Sequence, residues 1–367
     1  TDGTSGTFTL GDGTQGLTRG GNGMGTMFVQ TATDGTTKTV VKVANAGTLP
    51  VDTLLPWIAT SQGQFMKLDS GNGNALTIVA ADTADSTLAN WAGSYGTNSN
   101  LRVTGALSGA LSGNTTVNSL GWSNSTASTL DIGAGNTLNV ASGGVAVQAG
   151  AAVSITNGTL TTTNNVLYLN MGTGSASTIG SVISGDIAVV KCGSAQLTLS
   201  GSTTNTYTGT TYVNCGNLVI DKSGSAVGVS GNLVVRDGAS LDVRGTSSNP
   251  FGAESSVTLD NSFFKMSEDR NWSLGGTLTL NNSYVEIYKN AAATGVQLKG
   301  SGTGFAFNGG VVQFTTGTAN TNGTLAILTD VSYGAGSATQ ARFENVVTNG
   351  STFRLALNAG SNAATAT

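Results

Sequence analysis

Hydrophobic residues recur along the chain in short alternating groups rather than with the 3.6-residue period of a helix. In residues 129–170 a new group begins every seven or eight residues, and Gly, Asn or Ser turns separate the groups. The groups begin at Leu130, Leu138, Val145, Val153, Leu160 and Leu167. Alternation places one face of a strand in a core and the other in solvent. The pattern therefore predicts a series of strands of about three to five residues.

Two all-β architectures are compatible with strands this short. A β-sandwich, the alternative, is typical of longer strands spaced by about 8 to 12 residues and joined by tight hairpins. In a right-handed parallel β-helix, three short strands form one coil of about 22 residues, and coils stack about 4.8 Å apart. We favour this β-solenoid because of the close spacing, and because Gly and Asn suit corners that need a positive φ.

The same pattern divides the chain into three parts. Residues 1–47 are a Gly-rich N-terminal extension with one candidate strand, Thr7–Leu10, residues 48–335 form the solenoid, and residues 336–367 form a C-terminal strand and tail. Residues 101–328 leave room for about ten coils, a rod of about 50 Å at one strand spacing per coil.

The period-2 positions of the clearest strands predict the side chains that line the solenoid core. They are Leu130, Ile132, Leu138, Val140, Val145, Val147, Val153, Ile155, Leu197, Leu199, Leu218, Ile220, Leu233, Val235, Leu241 and Val243.

Composition excludes several classes of protein. With 38% hydrophobic and 9% charged residues and a net charge of −4, the chain is neither disordered nor collagen-like. It contains no apolar run of about 18 residues, so we expect no transmembrane segment. It has no basic stripe, so we expect no nucleic-acid partner. Because the chain opens at Thr1 without a leader, we expect a processed form of an exported protein.

One stretch closely resembles a known repeat. Its characteristic positions are Lys191, Gly193, Leu197, Leu199, Ser200, Gly201, Asn205, Thr206, Tyr207, Thr208, Gly209, Thr211, Val213, Asn214, Gly216 and Leu218. These residues, with "LLPWIAT" and "LRVTGALSGALSGNTTVNSLGW" upstream, resemble the autotransporter-associated β-strand repeat of bacterial surface proteins, over about residues 50–245. The resemblance implies a passenger-type β-solenoid located at the cell surface or outside a bacterium.

Candidate chemistry is sparse. The absence of His removes Ser/His/Asp and Cys/His triads and all His metal sites. The densest charge lies in residues 265–272, "KMSEDRNW", which we interpret as a solvated turn with local ion pairs. The "GDGTQG" of residues 11–16 and the early Asp-Gly pairs are interpreted as turns, since they lack the context of a dinucleotide or calcium site. We therefore expect no enzyme, no cofactor and no metal.

Two other surface features are potential binding signals. The four tryptophans, Trp57, Trp91, Trp122 and Trp272, are scattered, and we interpret them as plugs at solenoid ends or corners rather than as a sugar platform. Seven N-x-S/T sequons would permit a glycoprotein, although a chain so rich in Asn, Ser and Thr contains such sequons by chance.

Cys192 and Cys215 are predicted to form a disulfide. Each directly precedes a Gly that leads into a Leu-containing strand, and their separation of 23 residues is about one coil. Stacking would bring their Cα atoms within bridging distance, and an exported protein would permit oxidation. Two unrelated buried thiols are the alternative.

The predicted function is structural: a self-assembling, head-to-tail subunit of an extracellular bacterial fibre or surface coat, whose partners are copies of itself. Open solenoid ends expose strand edges that must be capped or paired. The alternative is a passenger-type adhesin that binds host or glycan ligands through an exposed aromatic or polar groove. A polysaccharide lyase, the third candidate, would show a carboxylate and Arg cluster on one sheet face.

We expect the strand Thr7, Phe8, Thr9 and Leu10 to complete the fold of a neighbouring subunit. It alternates correctly and is followed by a Gly-rich connector, residues 11–25. Added to a sheet edge, it would gain backbone hydrogen bonds and bury Phe8 and Leu10. Two alternatives remain open: residues 353–357 exchange instead, or both tails fold back on their own chain.

Overall fold

A computed structural model describes the backbone of most of the chain. The described residues are 7–10, 24–29, 40–43, 46, 49–266, 271–274, 276–289, 297–300, 305–316, 325–329, 355–357 and 363–366. The fold is nearly all-β, with parallel strands stacked as a β-solenoid, which confirms the predicted fold class over the sandwich. Two compact units are distinguished: unit 1 is Thr1–Ser177 with Cys192–Ala195, and unit 2 is Thr178–Lys191 with Gln196–Thr367.

Unit 1 begins with a six-stranded sheet that is separate from the solenoid coils. Its strands in spatial order are 1, 3, 6, 5, 4 and 2. In chain order they are β1 (Thr7–Leu10), β2 (Met27–Val29), β3 (Val40–Val43), β4 (Leu55–Thr60), β5 (Phe65–Asp69) and β6 (Ala75–Ile78). The strands β4, β5 and β6 are antiparallel neighbours, which we call the meander.

The meander lies within residues 48–335, the range expected to be solenoid throughout. Its tight reversals explain the difference. Gly63 adopts a φ of 66° and donates its N–H to the Thr60 carbonyl at 3.1 Å. Gly73 and Asn74 also have positive φ values, of 61° and 56°, before β6. Left-handed residues return the chain beside its own preceding strand, so antiparallel pairing replaces a coil.

Parallel stacking in unit 1 begins after the meander. The chain from Thr137 to its partner Thr159 has slightly fewer residues than the chain from Gly144 to its partner Tyr168. The number of residues per coil therefore differs slightly between these two positions. The strands are β7 (Asp82–Thr83), β8 (Asn100–Val103), β9 (Thr115–Trp122), β10 (Ser128–Asp131), β11 (Thr137–Val147), β12 (Val153–Thr156), β13 (Thr159–Thr161) and β14 (Val166–Met171), and β15 (Ser177–Ile179) spans the division between the units.

Unit 2 contains further parallel coils. Thr211 pairs with Leu233 and Leu233 with Val257, so here too successive coils differ slightly in length. The strands are β16 (Val182–Gly185), β17 (Ala188–Cys192), β18 (Leu197–Gly201), β19 (Thr206–Tyr207), β20 (Thr211–Val213), β21 (Asn217–Lys222), β22 (Leu233–Arg236), β23 (Ser240–Val243), β24 (Val257–Asp260), β25 (Phe263–Met266), β26 (Asn271–Leu274), β27 (Leu278–Lys289), β28 (Gln297–Gly300), β29 (Phe305–Thr316), β30 (Leu325–Thr329), β31 (Leu355–Leu357) and β32 (Ala363–Ala366). The last residue of β17, Cys192, belongs to unit 1.

The core prediction is confirmed. Every predicted core residue is buried, and none is more than 3% exposed. In unit 2 the inward column Leu218, Leu241, Phe264 and Val285 shows how the core is built, since each strand contributes one side chain directly above the last. Burial of such apolar columns provides the main stabilisation of the fold, at roughly 25 cal/mol per Å² of apolar surface.

Polar side chains join neighbouring coils at the corners. In unit 1 the Ser142 hydroxyl donates to the Asn118 carbonyl at 2.6 Å, and the Asn164 amide donates to the Ser142 carbonyl at 2.7 Å. In unit 2 the Ser247 hydroxyl donates to the Ala226 carbonyl at 2.7 Å. These bonds satisfy corner carbonyls that no strand ladder reaches, so the coils are fastened at their turns as well as along their strands.

Helix is confined to two short 3-10 segments within the described residues, Ser70–Asn72 and Leu88–Asn90. Across this part of the chain no helix has the length and apolarity needed to cross a membrane.

Candidate functional site

The strongest concentration of recognition chemistry lies on the outward face of β21, β23, β25 and β27 in unit 2. Alternation along these strands sends Leu241, Phe264 and Val285 inward and their neighbours outward. We call the outward group the aromatic–charged face. It consists of Asn217, Val219, Asp221, Ser240, Asp242, Arg244, Phe263, Lys265, Tyr284 and Glu286.

One column of this face carries two aromatic rings. Phe263 pairs in register with Tyr284, and both side chains are half-buried. Their rings stack with centroids 5.0 Å apart and planes 9° from parallel. This separation matches the strand spacing of about 4.8 Å, so the rings follow the backbone ladder. On the other side of Phe263 the column continues with Ser240 and then Asn217.

The neighbouring column alternates in charge. Asp242, Lys265 and Glu286 occupy the same register on three successive strands. Arg244 closes the acidic end, since its Nε and Nη2 both lie 2.7 Å from Asp242 Oδ2. The Asp242 side chain is only 8% exposed, whereas that of Arg244 is 46% exposed. With the exposed Asp221 the face carries two cations and three carboxylates, a net charge of −1.

Tyr284 connects the two columns electrostatically. Burial, and secondarily the charge of Glu286, raises the pKa of the Tyr284 phenol. The hydroxyl therefore remains protonated at physiological pH, and it is a neutral polar group at the edge of the ring stack. Together the columns offer ring faces, cationic donors and carboxylate acceptors, the combination that a polyhydroxylated ligand requires.

The face has part of the carboxylate and Arg cluster that was expected of a lyase. Asp242 and Glu286 are two strands apart in register, about 10 Å, with Lys265 between them. Asp242 is bound by Arg244, and its side chain is largely buried. A cavity in unit 1 lined by Phe65, Arg102 and Ser119 has a volume of about 20 Å³, room for a single water molecule.

The candidate inter-subunit strand pairs within its own chain. In β1, Thr7 pairs with Val40 and Leu10 with Val43 of β3, in parallel. For the N-terminal tail, this arrangement corresponds to the alternative in which both tails fold back on their own chain. The side chains of Phe8 and Leu10, and residues 353–354 of the other candidate segment, lie outside the described residues. Exchange between subunits remains a prediction.

The predicted disulfide is absent from the structure: Cys192 and Cys215 are both thiols. The buried Cys192 Sγ donates to Asn170 Oδ1 at 2.5 Å in unit 1, whereas Cys215 is exposed in unit 2. The reason is register. Val189 pairs with Thr211, so the local coil is one residue shorter than the separation of the two cysteines. A one-residue offset turns consecutive side chains to opposite faces, which prevents a bridge.

Residues of the stretch that resembles the known repeat hold coils together. Asn205 is buried, its Oδ1 accepts the Ile183 N–H at 3.0 Å, and its Nδ2 donates to the Gly228 carbonyl at 2.8 Å. The Tyr207 hydroxyl, also buried, lies 2.7 Å from Thr211 Oγ1. One asparagine thus joins three successive coils.

Two lysines point into the interior of unit 2. Lys191 is 0% exposed and its Nζ donates to the Cys215 carbonyl at 2.6 Å, while Lys222 is 1% exposed and donates to the Thr203 carbonyl at 2.9 Å. Burial lowers the pKa of Lys222 to about 8. Each amine satisfies a turn carbonyl. Periodicity alone could have predicted that Lys222 points inward, since it follows Leu218 and Ile220 at a spacing of two residues.

Other predicted features are distributed over the chain. Trp91 and Trp122 are buried in unit 1, and Trp57 is half-buried against Tyr168. Residues 11–16, the Asp-Gly pairs at 2–3, 12–13 and 34–35, the charged residues 267–270 and the Trp272 side chain lie outside the described residues. Within the described part of the chain, no group of three or more His, Cys, Asp and Glu side chains is placed to hold a metal ion.

Sequence reasoning did not identify the aromatic–charged face. Its signal is the alternation in "SLDV", "FFKM" and "YVEI", where an aromatic or polar residue and a charged residue stand two apart.

Comparison with protein-family models, with curated proteins and with solved structures gives no match for this chain.

Proposed function

We propose that the protein is a structural subunit of an extracellular bacterial fibre or surface coat. The observation that carries the proposal is the use of the most distinctive residues: Asn205, Tyr207 and Lys191 bind neighbouring coils or turns rather than lining a reaction site. Such residues make a scaffold rigid. The resemblance to the passenger-type repeat supports a location at the bacterial surface.

The assembly route is exchange of β1 between subunits. The strand β1 is at one edge of its six-stranded sheet, paired on one side with β3. The same backbone bonds form if β1 pairs with β3 of another copy, since domain swapping exchanges identical elements. Each subunit would donate one strand and accept one, which produces an open head-to-tail fibre. The Gly-rich residues 11–25 form the connector.

Electron microscopy of the purified chain tests this proposal. Wild-type protein should form fibres, and Thr9→Pro should abolish them because proline removes a ladder donor from β1. Thr14→Pro, in the connector, is the matched control and should leave fibres intact. A wild-type chain that remains monomeric at high concentration contradicts the fibre. Fibres that survive Thr9→Pro unchanged contradict β1 exchange while leaving the fibre in place.

A second function is favoured by one specific observation. The aromatic–charged face combines stacked rings with exposed charge, as expected of a passenger-type adhesin that binds glycan ligands. A solenoid can do both, because assembly would use β1 in unit 1 and ligand binding would use a sheet face in unit 2.

A further inference from the structure

The aromatic column of unit 2 is interrupted at Ser240. Phe263 and Tyr284 stack at 5.0 Å, and the next in-register residue beside Phe263 is Ser240. A serine side chain is too short to cover an aromatic ring. The Ser240 hydroxyl is directed to the backbone, since it donates to the Gly216 carbonyl at 3.4 Å. The ladder therefore lacks one rung at the position of Ser240.

The size of this gap suits one sugar ring. Asn217 follows Ser240 in the column, so Asn217 and Phe263 are two strand spacings apart, about 9.6 Å. A flat ligand that contacts both neighbours at about 3.5 to 4.0 Å needs about 7 to 8 Å. A pyranose above Ser240 would occupy the position of the missing aromatic ring and would present its apolar C–H face to Phe263.

Charge defines the ligand class. Asp242 and Arg244 lie two and four residues beyond Ser240, and Lys265 lies two beyond Phe263. Two residues along a parallel strand correspond to about 6.6 Å, within reach of hydroxyl groups at the edge of a sugar. Arg244 is twice as far along the strand, but its guanidinium folds back to 2.7 Å from Asp242 Oδ2. The face supplies both cationic donors and carboxylate acceptors, with one carboxylate in excess. An acidic sugar would meet Asp242 and Glu286 unfavourably, and a basic sugar would meet Arg244 and Lys265.

We propose that the aromatic–charged face binds a neutral hexopyranose oligosaccharide, with one sugar ring stacked on Phe263 above Ser240 and its hydroxyls hydrogen-bonded by Arg244 and Lys265. The proposal rests on the second function above and is independent of fibre assembly. It names the class of ligand that an adhesin of this geometry would select.

The test is titration of the full-length chain with maltohexaose, cellohexaose and a hexamer of N-acetylglucosamine, observed by ligand NMR and calorimetry. At least one of these neutral probes should bind. Ser240→Phe places a third aromatic ring in the column and fills the space proposed for the sugar ring. It should weaken binding at least tenfold without unfolding the protein. Phe263→Ala should weaken binding similarly by removing the stacking ring.

Thr258→Phe is the matched control. It adds an aromatic ring to a half-buried outward position of another sheet of unit 2 and should leave affinity unchanged. If Ser240→Phe does not fold, as judged by circular dichroism, Lys265→Met provides the second variant and should lose affinity at least threefold.

Three results would overturn the proposal. These are failure of all three neutral probes to bind, equal binding by wild type and Ser240→Phe, and preferential binding of an oligogalacturonate or of chitosan hexamer. Micrographs of the same samples keep the two functions separate, since fibres without sugar binding eliminate this site and leave the fibre proposal intact.

Discussion

The two units use sheets of similar construction in different ways. In unit 1 the sheet formed by β8, residues 119–122, residues 144–147 and β14 is covered on its outward side by the meander, and we call it the covered sheet. In unit 2 the sheet formed by β20, β22 and β24 has half-buried outward residues, and we call it the open sheet. All six residues of β14 are buried, whereas β22 and β24 alternate between buried and half-buried.

The contacts of the covered sheet explain its sequence. Tyr168 packs against Trp57 with ring centroids 6.2 Å apart and planes tilted by 58°, and Asn170 Nδ2 donates to the Pro56 carbonyl at 3.0 Å. At Gly144 an added Cβ would lie 2.9 Å from the Phe65 ring. A strand buried on both faces reads as a nearly continuous apolar run, as "VLYLNM" does.

The open sheet has polar and charged groups in the same outward positions. Arg236 Nε donates to Asn214 Oδ1 at 2.8 Å, and its guanidinium carbon lies 5.4 Å from the Tyr212 ring centroid. Val234 and Thr258 are half-buried beside them. Strands with one solvated face therefore alternate between apolar and polar residues in sequence. Strands covered on both faces, as β14 is by the meander, lose this alternation.

The largest expected effect is that of Phe65→Ala. The ring is 4% exposed and packs against Ala59 and Ala146, so its removal should lower the free energy of unfolding by about 3 to 5 kcal/mol. Tyr212→Ala on the open sheet is the control and should cost about 1 kcal/mol. Urea unfolding measures both, and equal losses would contradict a covering role for the meander.

Lys222→Met replaces a buried lysine in the interior of unit 2 and should stabilise the protein. The folded pKa of about 8 lies below the unfolded value of 10.5, so the unfolded chain binds more protons between these values and stability rises with pH. The variant should gain about 1 to 3 kcal/mol at neutral pH. It should also lose the rise in stability over the pH range between the two pKa values.

Lys265→Met removes an outward-facing cation and is the control for Lys222→Met. It should change stability by about 0.5 kcal/mol or less. Urea unfolding of both variants and of wild type at several pH values measures these effects. If Lys222→Met were less stable than wild type at every pH, the buried amine would not be costly.

Asn170→Ala tests the polar link between meander and covered sheet. Without its amide the buried Pro56 carbonyl loses a donor, which should cost about 1 to 3 kcal/mol. Amide hydrogen exchange in β4 should accelerate as well. Unchanged exchange in β4 would show that apolar contacts alone seat the meander, and Thr258→Ala provides the matched change on the open sheet.

The smallest effect is expected for Val234→Thr. Because Val234 is half-buried on the open sheet, the change should alter the free energy of unfolding by about 0.5 kcal/mol or less. Thermal unfolding measures it. A loss as large as that of Asn170→Ala would mean that this face is covered like that of β14.

Only part of the candidate site could be predicted. The non-core positions of Asp242, Lys265 and Glu286 follow from alternation around Leu241, Phe264 and Val285. Their alignment does not, because successive coils differ in length: the chain from Ser240 to its partner Phe263 is longer than the chain from Phe263 to its partner Tyr284. The same variation separates Cys192 from Cys215, whose spacing exceeds the local coil by one residue.

Local alternation was enough to establish which side chains face the core, since period 2 is a property of each strand and predicted residues such as Leu138 and Leu241 are fully buried. Only the tertiary structure decided which strands are neighbours and which outward face is covered. The meander reaches its sheet through the contact of Asn170 with Pro56, which are far apart in the chain. Stacking register and coverage depend on turn lengths and distant contacts, which no local pattern encodes.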